Sequence, residues 1–142
     1  MKISIIAIIL GVAATPVLAQ EMLPGQWEIT LSMTTPSAPG QNFGPFAQSY
    51  CISAADVVDP TRILGSVGAI PGTCSYSSQQ NLGNSLRFAI SCQGLVPMSG
   101  SGQTSWTADT MSATLDLSAR LQDESNPLAA HTTITARRLG GC

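Results

Sequence analysis

The sequence predicts an all-β protein, a curled antiparallel meander sheet or partial barrel of about seven strands with one short helix. Three observations lead there. Apolar residues recur at every second position in several segments, short polar turn-prone stretches separate those segments, and a single stretch breaks the alternation with a helix-start signature.

"QWEITLSMT" is the clearest strand. Trp27, Ile29, Leu31 and Met33 share one face, and Glu28, Thr30, Ser32 and Thr34 the other, the pattern of a half-buried strand. "TPSAPGQNFGPF" follows and reads as a loop from its proline and glycine content. "PFAQSYCIS" is a second strand, with Phe46, Gln48, Tyr50 and Ile52 on one side. In "SAADVVDPTRILGSVG", Ser53 is placed to cap a helix and Asp56 stands three residues on. A short helix is expected from about Ala54, ended or kinked near Pro60, with Val57, Val58, Ile63 and Leu64 laid over an open end or face of the sheet.

"CSYSSQQ" and "SLRFAISC" flank the turn-rich "NLGN" and read as a hairpin whose inner face carries Leu86, Phe88 and Ile90. "SGQTSWT" and "TMSATLDLSARL" meet at Ala108-Asp109. A turn there sets Trp106 opposite Met111 and Thr104 opposite Ala113, so apolar residues meet on one face. "AHTTITARR" alternates again and supplies the last strand.

The N-terminus "MKISIIAIILGVAATPVLAQ" has a basic start, an apolar run and small residues at Val17 and Ala19. Residues 1–19 are expected to be a secretory signal peptide cleaved after Ala19, leaving 20–142 as a single β-rich domain, periplasmic or secreted. No second apolar stretch is long enough to span a bilayer, so no membrane span is expected in the mature chain. Without Lys2 the domain has no lysine, and Arg62, Arg87, Arg120, Arg137 and Arg138 face eight carboxylates. Five scattered arginines make no basic face, which argues against nucleic acid as a partner.

Cys51, Cys74, Cys92 and Cys142 are the four cysteines. An even count in an exported chain favours two disulfides in one of three pairings. Cys74 and Cys92 are equidistant from Gly83 in the hairpin loop, so they should face each other across it, where β-carbons come to about 4.5–5.5 Å. That leaves Cys51 with Cys142, fastening the last residue to the strand before the helix.

"PGQWE", "YCISAAD", the two hairpin cysteines, "GSGQTSWTAD" and "ARRLGGC" occur in this order. The ordered set resembles the bacterial exported domain-of-unknown-function family 3617 over essentially the whole mature chain. Ala136 departs from the glycine that commonly precedes the two arginines there, and Val57 to Gly72 is more apolar than expected. The resemblance implies a small periplasmic or secreted β-rich domain, and it carries over no catalytic or binding residue.

Catalytic candidates are sparse. His131, the sole histidine, falls on the face opposite Thr132 and Ile134 and reads as a solvated strand residue. One histidine and paired cysteines argue against a metal site. No Gly-x-Ser-x-Gly context occurs, and "GSGQ" lacks the lysine and helix of a phosphate cradle; it marks a strand start or bulge. Glu28, Asp116 and Asp123-Glu124 are the carboxylates available to a hydrolase, and nothing in the sequence brings two of them together. Arg137 and Arg138 are adjacent on a strand and point to opposite faces. The one turned inward or toward the sheet end needs a partner such as Glu28, which makes a structural clamp. Trp27, Phe88 and Trp106 all lie on inner faces, as core or as the lining of a ligand cavity that a curled sheet leaves beside them. No cofactor is expected. The reading ranked first is a non-catalytic binding or interaction module for a small apolar ligand or an envelope protein. An accessory structural or inhibitory domain without a pocket ranks second, and a carboxylate-dependent extracytoplasmic hydrolase last.

Overall fold

The computed structural model describes residues 20–66, 73–94, 96–119 and 127–142. The expected signal peptide lies outside the described residues, as do Arg120, Asp123 and Glu124.

Seven antiparallel strands form one sheet: β1 (Gly25–Thr34), β2 (Asn42–Ile52), β3 (Thr73–Asn81), β4 (Ser85–Gln93), β5 (Met98–Trp106), β6 (Thr110–Ala119) and β7 (Leu128–Gly140). Their spatial order is β2-β1-β7-β6-β5-β4-β3, so the sheet is not closed and β2 and β3 are its two edges. From β3 to β7 each strand pairs with the next in sequence, as in a meander, and β1 enters beside β7.

Alternation assigns the faces. In β6, Met111, Ala113, Leu115, Leu117 and Ala119 are buried while every intervening residue is exposed. Trp27, Ile29, Phe88, Ile90 and Ile134 join them in one core. The Ala108-Asp109 turn forms as expected, with Trp106 opposite Met111 and Thr104 opposite Ala113.

The "GSGQ" stretch differs from its expected role. It lies inside β5, where Gly100 and Gly102 take inner-face positions between β4 and β6. A Cβ on Gly102 would stand only 2.5 Å from the Phe88 ring and 2.7 Å from Leu115 Cδ2. The missing side chain is what lets Phe88 of β4 and Leu115 of β6 close over β5.

The helical segment is two short helices, α1 (Ala54–Val58) and α2 (Pro60–Ser66). Ser53 and Asp56 form a full capping box at α1, and Pro60 opens α2 at the position where its missing N–H costs nothing. Ile63 and Leu64 are buried against the sheet and Val57 is partly so, but Val58 is 84% exposed. A five-residue helix turns only part of its circumference to the sheet, and Val58 lies on the remainder. The second strand also starts earlier than expected. Its first residues, Asn42 to Gly44, belong to the stretch read as loop, and Asn42 and Phe43 pair with β1 beyond a register shift between Leu31 and Met33.

Candidate functional site

Both disulfides form as paired on sequence grounds, Cys51–Cys142 across a separation of 91 residues and Cys74–Cys92 across 18. Cys51, Gln26 and Gly140 share one cross-strand row, so the chain's last two residues pass over the start of β1 to reach β2. Gly25 makes room. A Cβ there would collide with the Gly140 carbonyl oxygen and lie 2.9 Å from the Arg138 guanidinium, and its φ of 146° suits glycine.

The residues from Gln20 to Pro24 cover the same end of the sheet. Leu23 N–H donates to the Ala108 carbonyl at 2.9 Å, and Met22 is 3% exposed beneath them. The Asn84 side chain holds Gln20 at both backbone groups, accepting from its N–H at 2.9 Å and donating to its carbonyl at 3.0 Å. Nothing in the sequence pattern announced this segment, because apart from Trp27, which donates to Leu23, its hydrogen-bond partners are 64 residues away or more.

The three inner-face aromatics differ in environment. Trp27 is wholly buried, and its indole N–H donates to the Leu23 carbonyl at 3.1 Å. Phe88 is 3% exposed and meets Tyr76 edge to face, ring centres 5.3 Å apart. Trp106 is half-buried and packs against the same core. Trp106 borders an open hollow of about 420 Å³ with Leu82, Asn84 and Ser85, whereas Phe88 borders another of about 390 Å³ on the far side of β5 with Arg87, Gln103 and Asp116. One core cluster contains all three aromatics, but neither of these two hollows does. Burial pushes the Tyr76 phenol's pKa up, with the Asp59 carboxylate adding to the shift. Its hydroxyl and that of Thr132 are buried without a hydrogen-bond partner among the described residues.

Apolar surface is uncovered at the β2 edge. Phe43 and Phe46 lie opposite Met33 and Leu31, on the inner-face side, yet they are 54% and 56% exposed. None of the side chains from Asn42 to Ile52 is charged.

The outer face carries the polar groups. Arg137 Nη2 lies 2.8 Å from Glu28 Oε1, and His131 Nδ1 lies 2.6 Å from Asp116 Oδ1. The partner of Glu28 is thus the outward arginine. The inward Arg138 is satisfied by a backbone group, donating from Nε to the Pro24 carbonyl at 3.0 Å. Glu28 was expected to reach the inward one, but it shares a face with Arg137 through their direct cross-strand pairing. His131 sits half-buried on this outer face, opposite Thr132 and Ile134. The two carboxylates pair with positions six residues apart on β7, about 20 Å along a strand. Two-carboxylate glycoside chemistry uses about 5–9 Å. Among the described residues, no group of three or more His, Cys, Asp or Glu side chains could hold a metal ion, and no helix is long and apolar enough to cross a membrane.

The family model described as "Protein of unknown function (DUF3617)" matches residues 22–142. No curated protein and no solved structure matches the chain.

Proposed function

The chain belongs to the DUF3617 family of proteins of unknown function, matched from residue 22 to its last residue, and we propose that it is a non-catalytic binding module working outside the cytoplasm, in the periplasm or after secretion. Two disulfides among four cysteines support an oxidising compartment, and the signal-like sequence of residues 1–19 supports export.

Its occupant is an extended segment of an envelope protein, added as a strand alongside β2. The observation that carries this reading is the pair Phe43 and Phe46, more than half exposed on the inner-face side of an edge strand without a single charged side chain. Edges are ordinarily guarded by charges, lysine above all, because half of their backbone N–H and C=O groups are left for another chain to pair with. An incoming strand would meet those groups and set alternate apolar residues beside the two phenylalanines.

Native mass spectrometry of the protein isolated from the envelope fraction tests the reading. A second polypeptide is expected on the wild-type chain and should be lost from the Phe43→Lys/Phe46→Lys variant. Both positions are exposed, so the variant's melting temperature should stay within a few degrees of wild type. A lipid in place of a polypeptide would replace the strand partner with an apolar ligand, and a bare chain would remove both.

A further inference from the structure

We infer that Gln20 becomes the amino terminus of the mature chain and closes on itself as a pyroglutamyl lactam. This modification rests on the export reading above, through cleavage after Ala19, and is independent of the strand partner. Gln20 is held in place at the end of the sheet. Asn84 grips both its backbone N–H and its carbonyl, and Met22 two positions on is buried, so the terminus is pinned rather than left to trail.

The chemistry needs nothing beyond the residue. The α-amine of an N-terminal glutamine attacks its own side-chain carbonyl carbon. A bond forms from N to Cδ, the bond from Cδ to Nε2 breaks, and one ammonia leaves with the displaced nitrogen. No oxidant or other co-reactant enters. The amine attacks in its neutral form, and an α-amino pKa of about 7.7–8.0 leaves a substantial neutral fraction near neutral pH. Gln20 is exposed and its carboxamide has no hydrogen-bond partner among the described residues, so the side chain is free to fold back on the amine.

The site also suits the product. A lactam nitrogen keeps a single N–H, and among the described residues the Gln20 nitrogen donates to Asn84 Oδ1. The closed form carries no charge at that end of the sheet and gives an aminopeptidase no free amine to engage.

The experiment is mass spectrometry of the N-terminal tryptic peptide, from protein collected directly into acid so that no ring closes after harvest. That peptide runs to Arg62, the first lysine or arginine after residue 19. With the Cys51–Cys142 bridge reduced, the expected mass is that of residues 20–62 less one ammonia, with Edman degradation blocked and restored by a pyroglutamyl aminopeptidase. The Gln20→Glu variant, whose side chain closes far more slowly, should start with a free amine. A wild-type chain that starts at Gln20 with its amine intact overturns the lactam and leaves export standing. A chain that retains residues 1–19, or starts elsewhere, overturns this inference together with the predicted cleavage.

Discussion

The two disulfides do different work. Cys74 and Cys92 face each other within a hairpin that β3–β4 backbone pairing already holds, and Cys92 is 1% exposed in the core. Cys51 and Cys142 are both exposed, and their bridge ties a chain end that lies beyond the last strand. One bridge joins two strands that pair directly, whereas the other joins β2 to the tail after β7 across β1, which pairs with both. The difference shows that exposure is a poor guide to a disulfide's importance. The length of chain it closes matters more.

The largest expected effect breaks this comparison or confirms it. Loop-closure entropy assigns about 4–5 kcal/mol to the bridge closing 91 residues and roughly 3 kcal/mol to the one closing 18. Cys51→Ser should therefore lower the melting temperature more than Cys74→Ser, by roughly 10–20 °C against roughly 8–15 °C. Thermal unfolding of the two variants, followed by circular dichroism, reads the order directly. Equal or reversed losses would mean that packing around Cys92, and not chain entropy, sets the scale.

Gly25→Ala sharpens the same contrast with both bridges intact. The added methyl meets the Gly140 carbonyl oxygen at a φ of 146°, so the tail must lift from β1 or the strand must shift. A loss of about 2–3 kcal/mol is expected. Cys142 should become easier to reduce in step with that loss, while Cys74–Cys92 keeps its resistance. Titration with dithiothreitol and peptide mapping separates the two. If the bridges respond alike, the tail is not what Gly25 accommodates.

Much of this architecture was legible in the sequence, for a physical reason. Period-two alternation reports which side of a strand each residue takes, and in β1, β4 and β6 that side coincides with burial. Alternation does not report whether a face is covered. Phe46 was assigned to the correct side, but it lies on an edge strand where the described residues leave it 56% exposed. Val58 fails similarly, because apolar character alone cannot orient a helix of five residues.

The cysteine pairing was right for an incomplete reason. At the hairpin tip Asn81 faces Leu86, and that register carried straight down would set Cys74 against Gln93. A bulge between Ser77 and Gln80, with Ser78 at a φ of 50°, inserts the extra residue that brings Cys74 opposite Cys92. Of the candidate site, Trp27, Phe88 and Trp106 were legible as inner-face residues, whereas the Gln20–Asn84 clamp was not. Contacts between distant segments leave no period in a sequence.

The smallest effect separates the two regions by pH. Directly after Cys51 and Ile52, the Asp56 carboxylate accepts from the Ser53 hydroxyl at 2.6 Å and the Ser53 N–H at 3.0 Å. Those bonds to Ser53, with Arg62 helping, hold its pKa below the usual 3.8. A depressed folded-state pKa contributes stability that is present above the unfolded value and is lost as pH falls through the folded one. Tyr76, on the hairpin strand that carries Cys74, has the opposite sign. Its pKa is raised above 10.0, first by burial and then by Asp59, so its contribution is present below the unfolded pKa and disappears as pH climbs through the folded one. Asp56→Ala should cost about 1 kcal/mol at neutral pH through the lost half of the capping box and flatten the acid limb of a melting-temperature profile. Tyr76→Phe removes a buried hydroxyl that has no partner among the described residues, so it should be neutral or slightly stabilising at neutral pH and flatten the alkaline limb. If the acid limb responds to Tyr76→Phe, or the alkaline limb to Asp56→Ala, then the helix behind Cys51 and the hairpin around Cys74 do not titrate separately, and the division between the two bridged regions fails at its most sensitive point.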